Sequence, residues 1–97
     1  MKLILCTKCS DIVKLIENEY RECQCGNVRG KYTDELNAVF TAKSESYALI
    51  GFENNSLLKA LVQKTQEEKG FIDPLGTGIL FDAFLIREDE CDTIKRE

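Results

Sequence analysis

Short apolar runs, each closed by a group of turn-forming residues, cover most of the chain. Runs of this length that contain β-branched and aromatic residues predict strands. The predicted strands cover residues 2–5, 20–24, 31–33, 37–41 and 47–52. The segment 11–16 stays ambiguous, because Ile12, Leu15 and Ile16 also fit one turn of a helix.

One segment has the periodicity of a helix. Asn54-Asn55-Ser56 is typical of a helix start, because an Asn or Ser oxygen can accept hydrogen bonds from the first free amides. A single apolar stripe follows, with polar residues on the other side, and Gly70 predicts the end of the helix near residue 69. The stripe consists of Leu57, Leu58, Leu61, Val62 and Thr65.

The last third of the chain contains one long apolar run and a polar end. Residues 79–86 are apolar on both faces apart from Asp82, which is typical of a central strand. Residues 91–97 are expected to form a polar tail that frays.

Four of the five cysteines fall within the first 25 residues and form the pattern C-x2-C-x13-C-x-C. Two close pairs separated by about a dozen residues are typical of a tetrahedral zinc site, in which each pair lies on a tight turn. The predicted ligands of one structural Zn²⁺ are Cys6, Cys9, Cys23 and Cys25. Gly26 follows the last ligand, and a glycine can adopt the positive φ that would turn its amide back toward a thiolate.

Other uses of these cysteines fit the sequence less well. Two disulfides in a secreted protein would leave one cysteine over, and a redox pair at Cys6 and Cys9 would leave Cys23 and Cys25 unexplained. Iron in the same thiolate cage is the main chemical competitor of zinc. The fifth cysteine, Cys91, is expected to be an ordinary small side chain or a mildly exposed thiol, and not a ligand.

These elements predict an α+β fold in one domain, since 97 residues leave no room for two. The expected architecture is an N-terminal zinc-ribbon-like hairpin packed on a small, mostly antiparallel sheet with one main helix over about residues 56–69. In this scheme residues 1–30 form the hairpin, 31–90 the α+β body and 91–97 the polar tail.

Composition excludes several function classes. The absence of histidine rules out His-based acid–base catalysis and His metal ligands. The net charge of −4, with scattered basic residues, makes nucleic acid an unexpected partner, because nucleic-acid binders carry basic patches. No apolar run reaches the length of a membrane span, and the run after Lys2 is too short for a signal peptide, so we expect a cytoplasmic protein without a membrane partner.

Two loops could bind a small ligand. Free amides at a helix start can hold an anion, although polar side chains that merely cap the helix explain the same residues. The glycine loop lacks a dinucleotide fingerprint and precedes a strand, so a plain connecting loop is the alternative. The speculative ligand-binding residues are Gly51, Asn54, Asn55, Ser56, Gly76, Thr77 and Gly78.

Asp82 is the other residue that could carry chemistry. A carboxylate buried in an apolar strand needs a partner, which Arg87, Arg29 or Lys31 could supply. A structural ion pair or an outward-facing position is preferred to a catalytic acid.

The chain resembles a family of small uncharacterised bacterial and phage zinc-ribbon-like proteins. The resemblance covers most of the length, and its only specific part is the cysteine spacing. It is carried by Cys6-x2-Cys9, Cys23-x-Cys25-Gly26, Gly51-Phe52-x-Asn54 and Phe84-x-Ile86-x4-Cys91, together with shorter matches between them. It implies a metal site at the four cysteines and nothing about catalysis.

The expected function is a non-enzymatic, zinc-stabilised binding or adaptor module that engages a protein partner. A closed four-thiolate cage has no open coordination position, and the sequence offers no nucleophile–base pair. The alternative is a protein that binds or sequesters a nucleotide or another small anion. A homodimer is also an alternative, through a modest apolar patch on the hairpin. Ile12, Val13, Leu15, Ile16 and Tyr20 could contribute to this patch, or all five could pack internally.

Overall fold

A computed structural model describes residues 1–65 and 78–97. Within these residues the chain has two four-stranded sheets and one helix, which confirms the predicted α+β class and gives two sheets where one was expected. The elements are β1 (Lys2–Cys6), β2 (Ile12–Lys14), β3 (Arg21–Glu22), β4 (Val28–Tyr32), β5 (Ala38–Ala42), β6 (Tyr47–Phe52), α1 (Asn54–Thr65), β7 (Ala83–Leu85) and β8 (Ile94–Arg96). The predicted helix end at Gly70, and Gly76 and Thr77 of the glycine loop, lie outside the described residues.

The first sheet has the strand order β2-β1-β6-β7. Its strands β1 and β2 form an antiparallel hairpin, and β6 pairs antiparallel with the other side of β1. The register places Ile4 opposite both Val13 and Leu49, so that three apolar side chains form one row across the sheet. The ambiguous segment 11–16 is therefore a strand over residues 12–14.

The second sheet has the order β3-β4-β5-β8. Its pairs are antiparallel except for β5 and β8, which run parallel. Residues 20–24, predicted as a strand, contribute only the two residues of β3. The predicted frayed tail is wrong, because Ile94 within it is fully buried and pairs with Ala38.

One buried cluster draws side chains from both sheets. Ile4, Val28 and Phe40 have no exposed surface, and Cys6 and Cys23 belong to the same cluster. Alternate residues of β1, β4, β5 and β6 are buried, as expected for sheets with one buried face.

Contacts between residues divide the chain into two compact units. One unit holds Met1 and Phe52–Phe84, and the other holds Lys2–Gly51 and Leu85–Glu97. The second unit contains all five cysteines and the buried cluster. Within the described residues, no helix is both long enough and apolar enough to cross a membrane.

The helix buries a different face from the one predicted. Leu58, Leu61 and Val62 of the predicted apolar stripe are each at least half exposed, whereas Ala60 is buried. The helix also begins at Asn54 instead of residue 56. Leu57 of the stripe is partly buried, so the predicted stripe and the buried face share only part of their residues.

The apolar run at 79–86 is not a central strand. Only Ala83–Leu85 form a strand, which lies at the edge of the first sheet with all three residues exposed. A buried strand and an uncovered edge strand can share the same apolar composition, so the sequence pattern did not separate them.

Candidate metal centre

The thiols of Cys6, Cys9, Cys23 and Cys25 lie within 4.8 Å of one another. Cys6 and Cys23 are buried, Cys9 is partly buried and Cys25 is exposed. The group therefore has two thiols in the protein core and two toward the surface.

The first cysteine pair lies on the turn that joins β1 to β2. Cys6 is the last residue of β1, and its amide donates to the Asp11 carbonyl at 2.9 Å. The Ser10 amide donates back to the Cys6 carbonyl at 2.8 Å, which closes a tight turn around Cys9. Ser10 has a φ of 61°, in the left-handed region that non-glycine residues seldom occupy.

The second pair lies on the turn between β3 and β4. The Cys23 amide donates to the Val28 carbonyl at 3.0 Å, and the Gly26 amide donates to the Cys23 carbonyl at 3.1 Å. Gly26 has a φ of 76°, which confirms the predicted positive φ. Its amide, however, turns to a carbonyl and not to a thiolate. The Val28 amide, further along the same turn, donates to Cys23 Sγ at 3.4 Å.

The two turns have one structural feature in common. In each of them, the residue after the second cysteine is left-handed and its amide bonds to the carbonyl of the first cysteine. This repeated turn aims both thiols of a pair toward the same point. The turns belong to strands of different sheets, so the thiol group links the two sheets.

The spacing of the sulfurs fits a four-coordinate ion. Four thiolates placed tetrahedrally at about 2.3 Å from one ion lie about 3.8 Å from each other. Cys25 Sγ lies 3.6 Å from both Cys6 Sγ and Cys23 Sγ. The four cysteines can therefore hold one metal ion with little rearrangement.

The surroundings of Cys23 and Cys25 set the pKa values of these two thiols far apart. Burial raises the pKa of Cys23, but the hydrogen bonds from the Val28 amide and the neighbouring thiols outweigh burial and lower it to about 6. The Asn27 amide lowers the pKa of Cys25, yet burial and the bonds to Cys6, Cys23 and Cys9 raise it to about 11. The Cys25 amide lowers the pKa of Cys9. Neighbouring thiolates repel each other, and a divalent cation removes this conflict because it deprotonates every thiol that it binds.

Asn27 is a polar residue beside the cysteines whose role was not predicted from the sequence. Asn27 is 3% exposed, and its Nδ2 lies 4.0 Å from Cys6 Sγ and donates to the Ser46 carbonyl at 3.3 Å. Its Oδ1 accepts from both the amide and the hydroxyl of Ser44 at 3.0 Å. Asn27 thus fixes the loop after β5 against the second cysteine turn. The only sequence signal was its place two residues after Cys25, where it resembles any turn residue.

Asp11 connects the two cysteine turns directly. Its Oδ2 accepts from the Gln24 amide, which lies between the two cysteines of the second pair, at 3.1 Å. Outer contacts of this kind orient metal ligands and are often needed for full affinity.

Cys91 is not part of the four-thiol group. It packs against the core, and its Sγ lies 3.3 Å from Thr93 Oγ1. Its partly buried position agrees with the expected ordinary side chain.

At the helix start, the cap differs from the one expected. The carboxylate of Glu53 accepts from the amides of Asn55 and Ser56, at 3.0 and 2.7 Å, so Glu53 caps the helix where an Asn or Ser oxygen was predicted. Asn54 Oδ1 instead accepts from the chain's amino terminus at 3.0 Å. A carboxylate that occupies the first amides also repels an anion at this place.

Asp82 is exposed, which agrees with the preferred outward-facing position and not with a buried carboxylate. Its amide donates to Ser56 Oγ at 2.8 Å. Of the residues that the structure describes, Asp82 and Glu53 line a cavity of about 400 Å³ beside the helix, with Lys59 as the one cation among them. Two carboxylates against one ammonium group disfavour a nucleotide or another anion there.

The remaining residues that were predicted to bind a ligand do not form a binding site in the described part of the chain. Gly51 is buried in β6, and Gly78 is exposed in a bend. Whether the two loops come together stays a prediction, since Gly76 and Thr77 are outside the described residues.

The apolar patch that was predicted on the N-terminal hairpin is smaller than expected. Val13 and Leu15 are buried, and only Ile12 is largely exposed. Tyr20 is partly buried, with Arg29 and Lys31 over its ring and its hydroxyl bonded to Glu97. This hairpin therefore offers one exposed large apolar side chain instead of a surface.

Comparisons with models of protein families, with curated proteins and with solved structures each give no match. The resemblance to zinc-ribbon-like proteins thus stays a prediction that stems from the cysteine spacing.

Proposed function

We propose that the protein is a non-enzymatic, zinc-stabilised binding module of the small bacterial and phage zinc-ribbon-like kind. The observation that carries this proposal is the group of four thiols on two matching turns, one from each sheet. Zinc is the preferred ion because it takes four thiolates in tetrahedral geometry and binds them without redox chemistry.

The metal in this proposal has a structural role. Four protein thiolates fill the coordination sphere of zinc and leave no position for a substrate. The ion instead joins turns from two sheets, which increases the stability of the folded state. A thiolate site also requires reduced cysteines, which favours the cytoplasm as its compartment.

The proposed partner is a protein. The net charge of −4 argues against nucleic acid, and the cavity beside the helix has the wrong charge for an anionic ligand. A low-salt gel shift with DNA and RNA tests this choice, since tight and salt-sensitive binding would contradict it.

Native mass spectrometry of the purified chain tests the metal. We expect one zinc ion per chain, and Cys→Ser at any of Cys6, Cys9, Cys23 or Cys25 should abolish stoichiometric binding. A folded, metal-free wild-type chain would refute the proposal, and a chain that holds iron after aerobic purification would refute the choice of zinc.

A further inference from the structure

Strand β7 differs from the other sheet edges in its charge. It consists of Ala83, Phe84 and Leu85 and forms one edge of the first sheet within the described residues. Charged side chains on an edge strand hinder pairing with another chain. The other three edges carry such charges, at Lys14 in β2, Arg21 and Glu22 in β3, and Lys95 and Arg96 in β8.

The hydrogen bonds that flank β7 fix the direction of its backbone groups. The Glu53 amide donates to the Asp82 carbonyl, and the Ile86 amide donates to the Leu49 carbonyl. Residue numbers rise along β7 while they fall along β6, so the two strands run antiparallel. In an antiparallel strand, every second residue forms its hydrogen bonds with the same neighbouring strand. In β7 the residues that bond to β6 are the even-numbered ones.

The odd-numbered residues of β7 consequently face the open edge. The amide and carbonyl groups of Ala83 and Leu85 point away from β6. The side chain of Phe84 is 54% exposed and that of Leu85 is 71% exposed. This edge thus offers both strand-pairing groups and apolar surface.

We propose that β7 pairs antiparallel with β7 of a second copy of the chain, around a two-fold axis at Phe84. In this arrangement Ala83 of each chain lies opposite Leu85 of the other, and the two residues exchange both backbone hydrogen bonds. Phe84 lies opposite itself at the position between them, where the Cα atoms of an antiparallel pair are closest, about 4.5 Å apart. The edge is self-complementary, which is the requirement for a two-fold symmetric contact.

The available apolar area suits a weak dimer. Phe84 and Leu85 of β7 are 54% and 71% exposed. With about 150–200 Å² for each large side chain, they expose about 200 Å² per chain, or about 400 Å² for the pair. The paired backbones add to this area, which stays below the roughly 1,000 Å² of a stable specific interface. We therefore expect a reversible dimer and not a permanent one.

This inference deepens the proposed binding role, because it names the partner as a second copy of the chain. It does not depend on the identity of the metal, which native mass spectrometry measures separately. Failure of dimerisation would leave the metal proposal intact, and loss of metal would not by itself remove β7 pairing.

Sedimentation of the full-length, metal-loaded chain over a range of concentrations tests the dimer. We expect a concentration-dependent shift from monomer to dimer in the wild type, and at least a tenfold weaker association for Leu85→Lys. The matched control is Ile12→Lys, which adds the same charge to an exposed apolar residue on β2 of the same sheet and should dimerise like the wild type. A wild type that stays monomeric at every concentration, or that forms larger assemblies, would overturn the proposal.

A cross-link tests the two-fold axis without relying on a disruptive variant. In a Cys91→Ser background, Phe84→Cys places two thiols opposite each other at a Cα distance suited to a disulfide. Mild oxidation of the metal-loaded chain should give a covalent dimer with Phe84→Cys and none with Ile12→Cys. Equal cross-linking of both variants would mean random collision and would contradict the assigned axis.

Discussion

The left-handed residue in each cysteine turn gives a prediction with opposite signs at two positions. Ser10 has a φ of 61° and Gly26 a φ of 76°, and in each turn the amide of this residue donates to the carbonyl of the first cysteine. Ser10→Gly should stabilise the metal-loaded protein, and Gly26→Ala should destabilise it. Both effects arise from the same backbone conformation, which L-residues with a Cβ adopt only at a cost.

The expected magnitude follows from two opposing terms. The left-handed conformation costs a residue with a Cβ about 1–2 kcal/mol. A glycine in the same place loses about 0.4–1 kcal/mol more backbone entropy on folding. The net change in the free energy of unfolding is therefore about 0.5–1 kcal/mol, upward for Ser10→Gly and downward for Gly26→Ala.

Steric clashes contribute little to the effects of Ser10→Gly and Gly26→Ala. A Cβ added to Gly26 would meet only the flexible end of Lys43, with Nζ at 3.8 Å. The Ser10 side chain is exposed, and its hydroxyl makes no hydrogen bond to any described residue. The two substitutions thus change mainly the conformational freedom of the turn.

Thermal unfolding in a zinc buffer is the appropriate assay, because a fixed free zinc concentration keeps the contribution of binding constant. A change of 0.5–1 kcal/mol corresponds to about 2–8 °C in Tm for a domain of this size. Ser10→Ala is the control, since it removes the hydroxyl but keeps the left-handed cost, and should leave Tm within about 2 °C of the wild type. If Ser10→Gly and Ser10→Ala behave alike, the turn is not left-handed at Ser10 and the reasoning fails.

Three further predictions concern Asn27, Gly30 and Cys91. Asn27→Ala should weaken zinc binding about 10–100-fold in chelator competition, because the Cys6 thiolate loses a donor and Ser44 loses its acceptor; unchanged affinity would contradict this role. Gly30→Ala should lower the free energy of unfolding by about 1–3 kcal/mol in urea, because a Cβ would lie 2.8 Å from a backbone oxygen of β5, whereas Gly78→Ala, with open space around it, should be neutral. Cys91→Ser should keep one zinc ion per chain in native mass spectrometry, and a lower stoichiometry would mean that the ligand set is wrong.

Local signals in the sequence predicted the elements that depend on neighbouring residues. The range of β6 was predicted from a run of apolar and aromatic residues between two polar groups, and it has the expected bounds. The positive φ of Gly26 followed from its place after a cysteine pair. In both cases the cause of the structure lies within a few residues of the chain.

Features that depend on distant residues could not be predicted in this way. The polar segment at the end of the chain becomes β8 because Ile94 enters the core beside Ala38, 56 positions away in the sequence. The buried Asn27 is held by Ser44 and Ser46, and nothing in its own neighbourhood marks it as more than a turn residue. Apolar content alone likewise did not tell which strand is covered, as the exposed β7 demonstrates.

The thiol group lies partly in the core and partly at the surface, which limits how much of the fold would be lost without the metal. Cys6 and Cys23 are already packed among apolar side chains, and a buried protonated thiol behaves as a small hydrophobic residue. Without the ion, these two cysteines can stay in the core, whereas the exposed Cys25 and the partly buried Cys9 lose their tie to the opposite turn. The apolar cluster around Phe40 and Ile4 does not depend on the metal, so chelation should loosen the two turns before it unfolds the sheets. A metal ion bound here therefore fixes the shape of the two turns on a body that has its own apolar core.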